Sequence, residues 1–193
     1  ITMDLVRAVH RHLLVGGRGA AFSTPGEVRT VQNHIGGGTP DPADARYVPP
    51  PPLEAQMLLS QLIEYLAPPK LETPALVEAA WMHYQFEAIH PFLDGNGRVG
   101  RVLIPLLFAY RNQMDHPLLY LSPYFERDRA AYYDTLLSVS TESTWVGWLR
   151  YFLQGILDQA TAATDLAKHI IDLGAEWHRR LDASGAPRNA HRL

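Results

Sequence analysis

The chain contains 193 residues, of which 47% are hydrophobic and 19% charged, a composition typical of one compact domain with its own core. Its formal net charge of -3 provides no basic excess for binding a phosphate backbone, so we expect no nucleic acid as a partner. The complete lack of cysteine in the sequence excludes disulfides, thiolate zinc sites and a cysteine nucleophile.

No segment of the sequence has the character of a membrane span or a signal peptide. The longest apolar stretch, residues 102–110, contains Pro105 and is far shorter than the ~20 residues that span a bilayer. The first residues, I-T-M-D, have neither the basic start nor the apolar run of a signal peptide. We therefore expect a cytoplasmic protein with no membrane partner.

The predicted elements are mostly helical. Valine, threonine and isoleucine within residues 27–35 predict the only β structure, a short exposed strand or hairpin, and four prolines at residues 49–52 predict a stiff spacer after it. Apolar residues then indicate helices over residues 53–66, 75–89, 97–112, 126–139, 145–158 and 161–181. This pattern predicts an all-α bundle with one small β-hairpin, as a single domain over residues 1–181 and a tail over residues 182–193.

Residues 90–101, H-P-F-L-D-G-N-G-R-V-G-R, combine residue types that favour phosphate binding. Pro91 disfavours the helical conformation at His90, so the preceding helix should end there and leave the imidazole on a loop. The Gly-Asn-Gly turn at residues 95–97 tolerates positive φ, and consecutive amides in such a turn converge on an anion. The helix that follows adds its unpaired amides and its positive dipole end.

Charged side chains around this turn complete a candidate polyphosphate site. Arg98 and Arg101 share one face of the first helical turn, where positive charge opposes the helix dipole unless an anion offsets it. Asp94 supplies a hard oxygen ligand for Mg²⁺, which usually takes one or two carboxylates together with phosphate and water. His90 is a suitable general base for a hydroxyl. The combination predicts phosphoryl or nucleotidyl transfer.

This stretch resembles the signature of the Fic family, H-P-F-x-D-G-N-G-R-x-x-R, and matches it at every specified position. E-V-R-T-V-Q-N-H-I-G at residues 27–36 resembles the family's flap hairpin, and the prolines at residues 49–52 resemble the connection after it. Tyr132-Tyr133 with Leu136 resembles its Y-Y-x-x-L helix. The resemblance covers about residues 5–157 and implies the mainly helical Fic fold with a β-hairpin flap.

The resemblance implies adenylylation, which is the transfer of AMP from ATP to a hydroxyl side chain of a target protein with release of pyrophosphate. It implies that His90 deprotonates the target's Ser, Thr or Tyr hydroxyl and that Asp94 holds Mg²⁺ against the α- and β-phosphates. The other implied nucleotide contacts are Gly95, Asn96 and Gly97 around the phosphates, Arg98 at the β-phosphate, Arg101 at the γ-phosphate, and Tyr132 and Tyr133 in the adenine pocket. The family often has Asn where this chain has Ser140.

The flap implied by the resemblance would dock the target segment as an added strand, through main-chain hydrogen bonds. The implied docking residues are Gln32, Asn33, His34, Ile35 and Gly36. Family members are commonly inhibited by a helix with the pattern S/T-x-x-x-E-G/N, whose glutamate pairs with the second signature arginine, here Arg101. The segments that begin at Ser23 and Ser138 do not complete this pattern. We therefore expect the inhibitory segment upstream of Ile1 or in a separate partner protein.

Three alternative functions remain open at this point. Relatives of this fold act as kinases, but those depart from the second glycine of G-N-G, whereas Gly97 is intact here. The same residues could also remove AMP from a modified target by activating water. A non-catalytic module that binds ATP and a peptide is the third, although it has no need of a base such as His90. His10 and His12 are two residues apart with no carboxylate cluster nearby, and we interpret them as surface residues.

Overall fold

The computed structural model describes residues 1–15, 24–37, 41–67, 73–116 and 118–184. The described residues form seven α-helices and one short 3-10 helix at Pro42–Asp44. The α-helices are α1 (Met3–Leu14), α2 (Pro52–Leu66), α3 (Ala75–Ile89), α4 (Asn96–Tyr110), α5 (Ser122–Arg127), α6 (Arg129–Glu142) and α7 (Trp145–Ser184). The predicted mainly helical class is confirmed. Within the described ranges, no helix is both long enough and apolar enough to cross a membrane.

The β structure is smaller than predicted. Over residues 24–37 and 41–67, the chain forms one antiparallel bridge, between Ile35 and Tyr47, and no continuous strand. The Ile35 N–H donates to the Tyr47 carbonyl at 2.9 Å, and the Ile35 carbonyl accepts from Arg46 and Tyr47. Residues 38–40, which would complete the predicted hairpin, lie outside the described residues.

The helix α1 has no counterpart among the predicted elements. The side chain of Thr2 caps it by accepting the Leu5 N–H at 3.2 Å, as threonine before a first helical turn often does. Its buried residues are Val6, His10 and Leu14, which recur every four residues and therefore share one face. This face packs α1 against α4.

Two other predicted boundaries differ from the structure. The predicted helix over residues 126–139 is divided into α5 and α6, because Asp128 leaves the helical conformation and caps α6 by accepting the Ala131 N–H at 3.0 Å. The predicted helices over residues 145–158 and 161–181 form the single helix α7, because Gln159 and Ala160 between them are good helix formers. The domain limits at residues 1–181 stay a prediction, and residues 185–193 of the tail lie outside the described residues.

Helix α3 is the central element and packs against α2, α4 and α7. It is buried on most of its circumference, and Trp148 of α7 donates its indole N–H to the Ala80 carbonyl at 2.9 Å. Gly100 allows α4 to approach α3 closely: a Cβ there would lie 2.5 Å from Glu87 Oε1. The close packing brings the end of α3 and the start of α4 together around residues 90–95.

Candidate active site

His90 ends α3 in a left-handed backbone conformation, at φ 48° and ψ 60°. Its N–H donates to the Phe86 carbonyl at 3.0 Å, so the helix is complete up to this residue. Positive φ is uncommon for residues other than glycine and is often found at functional sites. The predicted end of the helix before Pro91 is confirmed.

Arg29 holds the first part of the loop that follows α3. Its Nε–H donates to the His90 carbonyl at 2.9 Å, and Nη2 donates to the Ile89 carbonyl at 3.5 Å. The main-chain N–H of Arg29 donates to the Pro91 carbonyl at 2.9 Å. Three successive carbonyl groups at the end of α3 are therefore bonded to one residue.

Asn96 closes the next part of the loop with its side chain. Its Oδ1 accepts the Phe92 N–H and its Nδ2 donates to the Phe92 carbonyl, both at 2.8 Å. Asn33 also donates its Nδ2–H to the Phe92 carbonyl, at 3.1 Å. Asn96 is only 1% exposed, so its side chain is a structural brace and only its main chain is available to a phosphate.

His10 is buried, with 1% of its surface exposed, and the prediction of a surface position is wrong. It lies on the face of α1 that packs against the site. Its Nδ1 accepts the Gly26 N–H at 2.8 Å, so the proton is on Nε2, which donates to the Asp94 carbonyl at 3.0 Å. Burial lowers the pKa of His10. The neutral imidazole thus fixes the last part of the loop.

These carbonyl contacts determine which way the loop amides point. In a trans peptide, a carbonyl and the following N–H point in opposite directions, and the described residues contain no cis peptide. Because the Asp94 carbonyl faces His10, the Gly95 N–H points away from α1 and binds Asp94 Oδ1 at 2.6 Å. The amides of the first turn of α4 have no partner within the helix. Gly95, at φ 80°, has the positive φ expected of this turn, and its N–H is occupied by Asp94, so anion binding by residues 95–97 stays a prediction.

The two signature arginines bind different partners. Arg98 Nη2 lies 3.0 Å from Asp94 Oδ2, so the predicted metal ligand is paired with an arginine. Arg101 donates its Nε–H to Ser122 Oγ at 3.0 Å, and its Nη2 lies 3.6 Å from Glu126 Oε1. Glu126 is beyond hydrogen-bond distance and largely exposed. Residues 122–127, S-P-Y-F-E-R, match the inhibitory pattern up to this glutamate and depart from it at Arg127.

A pocket of about 330 Å³ lies between the end of α3, the start of α4 and helix α6. Seven of the predicted site residues line it: His90, Gly97, Arg101, Tyr132, Tyr133, Ile35 and Gly36. Seven others do not line it: Asp94, Gly95, Asn96, Arg98, Gln32, Asn33 and His34. Ser140, at the position where the family often has Asn, also lines it and shares a hydrogen bond of 2.9 Å with the Tyr84 hydroxyl.

The predicted tyrosine pair occupies two different environments. Tyr132 is buried, and its hydroxyl lies 2.9 Å from His83 Nε2, so its polar end is satisfied inside the protein. Burial raises the pKa of Tyr132 well above its ordinary value. Tyr133 is 37% exposed and lies 5.9 Å from each of the guanidinium groups of Arg46 and Arg129. Tyr132 therefore contributes only the surface of its ring to the pocket wall, whereas Tyr133 is partly exposed to solvent.

The electrostatics of the pocket favour a neutral His90. Burial lowers its pKa to about 4, although the Glu87 main-chain carbonyl opposes this change. The Arg29 charge lowers the pKa further, and the Asp94 charge raises it. An unprotonated imidazole can accept a proton at neutral pH, as a general base must.

Glu87 was not predicted from the sequence, yet it lines the same pocket. Its Oε1 is buried without a hydrogen-bond partner in the described chain. A Cβ added at Gly97 or at Gly100 would lie within 4 Å of this oxygen, so the carboxyl group faces the start of α4. Burial raises the pKa of the Glu87 carboxyl to about 7, and the Arg101 charge opposes that rise. The pocket therefore contains a carboxyl group that titrates near neutral pH.

A larger cavity of about 810 Å³ lies away from the signature residues, between α3, α4 and α7. It contains the ion pair of Arg111 and Glu78, with Nη2 and Oε1 2.6 Å apart. Its walls are otherwise mainly apolar and include none of the predicted site residues. We therefore assign the candidate site to the smaller pocket, which the signature surrounds.

The family model described as Fic/DOC family matches residues 1–108, and the chain belongs to this family. It is 40% identical over 60 residues, 31% of the chain, to a probable protein adenylyltransferase of Aquifex aeolicus, and that match covers 18% of the relative. It is 31% identical over 142 residues, 73% of the chain, to protein adenylyltransferase Fic of Culex quinquefasciatus, covering 24% of that protein.

The fold is also similar to that of a solved structure, a Fic family protein from Desulfovibrio desulfuricans. The TM-score is 0.71 at 23% sequence identity, over 86% of this chain and 48% of that one. The chain thus spans less than half the length of each of these relatives.

Proposed function

We propose that this chain transfers AMP from ATP to a hydroxyl side chain of a target protein and releases pyrophosphate. The observation that carries the proposal is the shared pocket: a neutral, half-buried His90 lies in the same 330 Å³ cavity as Gly97 and Arg101 of the first turn of α4. Two similar proteins are named as protein adenylyltransferases, one of them as probable. Both observations support an enzyme that joins a hydroxyl to a nucleotide phosphate.

In this proposal His90 accepts the proton of the target's Ser, Thr or Tyr hydroxyl, and the oxygen attacks the α-phosphorus. The bond from that phosphorus to the bridging oxygen breaks, and pyrophosphate leaves. The main-chain N–H groups of Asn96 and Gly97, joined by that of Gly95 once Asp94 Oδ1 releases it, would face the negative charge that develops on the phosphates. Such preorganised donors stabilise a transition state strongly. Arg98 would bind the β-phosphate and Arg101 the γ-phosphate.

The residues around Asp94 fit a Mg²⁺ ion bound together with the nucleotide. Asp94 is half-exposed beside the anion-binding turn, and its carboxylate is a hard oxygen donor. The described residues contain no group of three or more histidine and acidic side chains that could hold a metal without a nucleotide. Mg²⁺ characteristically completes its shell with phosphate and water. When bound, it would neutralise charge on the α- and β-phosphates, while Arg98 would exchange Asp94 for a phosphate oxygen.

The pocket wall beyond the phosphates would take the adenine ring. Tyr132 offers a ring face that is held in place by its hydroxyl contact to His83, and Tyr133 offers an accessible ring. Aromatic rings stack well on nucleobases. Ser140, already bonded to Tyr84, would have less reach toward the base than an asparagine.

The candidate flap, residues 32–36, would dock the target as an added strand. Ile35 directs both of its main-chain groups to Tyr47. Because successive residues of an extended chain alternate sides, the main-chain groups of His34 would point toward the opposite edge, whereas Gly36, at φ 72°, turns the chain after Ile35. Gln32 and Asn33 would support this edge, since Gln32 donates to the Pro49 carbonyl at 2.9 Å. An inhibitory segment or partner protein that pairs with Arg101 would compete with the γ-phosphate.

Parallel reactions with ATP labelled at the α- or the γ-phosphate test this proposal. The protein is incubated with Mg²⁺ and each nucleotide, with and without a cell lysate as the source of targets. Transfer of α-label alone is the expected result. Transfer of γ-label alone would replace it with kinase activity. Release of AMP from a premodified target, without any transfer from ATP, would indicate hydrolytic removal of AMP. ATP binding without transfer of either label would indicate a non-catalytic module that binds ATP and a peptide.

A further inference from the structure

Arg29 is buried between the candidate flap and the loop that carries His90, with 2% of its surface exposed. In the described chain, its guanidinium contacts carbonyl oxygens from three separate segments. Nε and Nη2 bond His90 and Ile89 at the end of α3, Nη1 donates to Val31 at 3.2 Å, and Nη2 also donates to Pro50 in the proline run.

Filling this space with an apolar side chain would not require a guanidinium bonded to carbonyl groups of three segments. A buried charge carries a desolvation cost, which here lowers the pKa of Arg29, and an apolar side chain of similar volume is often at least as stable. The guanidinium is planar with five donors at fixed angles, so the positions of its acceptors are fixed relative to one another. A lysine ammonium cannot reproduce this fork.

We propose that Arg29 is a positioning residue that couples the candidate flap to His90. It holds the His90 carbonyl, and with it the backbone that bears the imidazole, at a set position relative to Val31, the residue just before the candidate flap. The contact of Asn33 with the Phe92 carbonyl continues the same connection along the loop. A target strand docked along residues 32–36 is thereby presented to the base in register. This inference rests on the proposed function.

Arg29 lies on the side of the loop where the target would dock, away from the nucleotide pocket. Arg29 does not line the 330 Å³ pocket, and its contacts lie on the flap side of the loop. A change at Arg29 should therefore alter the rate of transfer and leave the affinity for ATP intact. Misplacement of a reacting group by about 1 Å can lower a rate by roughly 100-fold.

The test compares Arg29→Lys with Arg111→Lys. The Arg111 side chain is also largely buried, and it binds Glu78 in the wall of the larger cavity and the Leu66 carbonyl, away from the candidate site. This control therefore reports general destabilisation. Hydrogen exchange is followed by mass spectrometry over residues 29–37 and 90–95, Mg·ATP affinity by calorimetry, and α-label transfer by initial rates. Arg29→Met removes the buried charge altogether and serves as the second variant if the lysine form does not fold.

We expect exchange over both segments to be at least about fivefold faster in Arg29→Lys, the effect of losing about one hydrogen bond. The transfer rate should fall by about 10- to 100-fold, with ATP affinity changed less than about twofold, and Arg111→Lys should show neither local change. Unchanged exchange over residues 29–37 and 90–95, or faster exchange equal to that of Arg111→Lys, would overturn the inference. If the wild type transfers no label, the proposed function fails, whereas the exchange result still decides the coupling.

Discussion

The imidazole of His10 stacks on the ring of Phe92, with centroids 3.8 Å apart and planes 7° from parallel. The same imidazole bonds Gly26 on one side and the Asp94 carbonyl on the other. Helix α1 therefore reaches the candidate site through one side chain that contacts the loop in two ways.

Replacing His10 with phenylalanine keeps the stacked ring and removes both hydrogen bonds. The buried Gly26 N–H then has no acceptor, and an unsatisfied buried group costs about 1–3 kcal/mol. We expect the free energy of unfolding in urea to fall by that amount and the transfer rate to fall with it. His12→Phe, at an exposed position of the same helix, is the matched control. Equal stabilities for the two variants would contradict the bracing role of His10.

Glu87 should make stability depend on pH between about 4.5 and about 7. Burial raises its pKa to about 7 in the folded protein, from an ordinary value of 4.5. Between these values the folded chain holds a proton that the unfolded chain has lost, so the free energy of unfolding decreases as pH rises. Burial lowers the pKa of His83 to about 3, so His83 makes the free energy of unfolding increase with pH below about 6.5. This contribution is the same in the wild type and in a variant changed only at Glu87, so it cancels when the two are compared.

Glu87→Gln isolates the effect of the carboxyl. The variant should gain stability over the wild type as pH rises from 5 to 8, with a difference on the order of 1–3 kcal/mol at the upper end. Urea unfolding at several pH values measures this difference. A difference that is constant with pH would show that the carboxyl titrates at the same pH in both states.

Arg101 and Arg98 should contribute differently to nucleotide binding. If Arg101 binds the γ-phosphate, Arg101→Met should lower the affinity for ATP by about 10-fold or more, because a hydrogen bond to a charged group contributes about 1.5–3 kcal/mol. The affinity for ADP, which has no γ-phosphate, should stay almost unchanged. Arg98→Met should lower the affinity for both nucleotides, because both have a β-phosphate. Calorimetric titration with ATP and with ADP measures the two ratios. Equal losses of ATP and ADP affinity in Arg101→Met would place its contact elsewhere.

The pKa of His90 should be visible by NMR of its ring. Burial lowers that pKa to about 4, so the ring stays neutral from pH 8 down to about 5 and takes up a proton only below that. Its ring signal, assigned by its loss in His90→Ala, should therefore move little above pH 5, and the transfer rate should not fall until the pH approaches 4. Titration of that signal at about 6.5 would contradict a desolvated base.

The signature loop could be predicted from the sequence because its determinants are local. Pro91 acts on His90, and the glycines of residues 95–97 act on their own backbone, so the end of α3 and the turn before α4 follow from neighbours in the chain. Asn96 is an exception, since its side chain is used inside the loop rather than for phosphate.

The supports of the loop could not be predicted in this way. Arg29 bonds a carbonyl 61 residues away, and His10 bonds one 84 residues away, so neither contact leaves a pattern in the local sequence. The partner of Arg101, Ser122, begins a short helix whose separation from α6 depends on a cap at Asp128. The burial of Glu87 likewise follows from the close approach of α3 and α4 at Gly100.

The most direct test of AMP transfer at this site compares the wild type with His90→Ala, using α-labelled ATP, Mg²⁺ and a common protein substrate fraction. Calorimetry first establishes that both proteins bind ATP with similar affinity, so that only the base differs. We predict α-label on protein with the wild type and its loss, by at least about 100-fold, with His90→Ala, the range expected for a general base. Undiminished transfer of α-label by a correctly folded His90→Ala would contradict the assignment of this pocket as the active site.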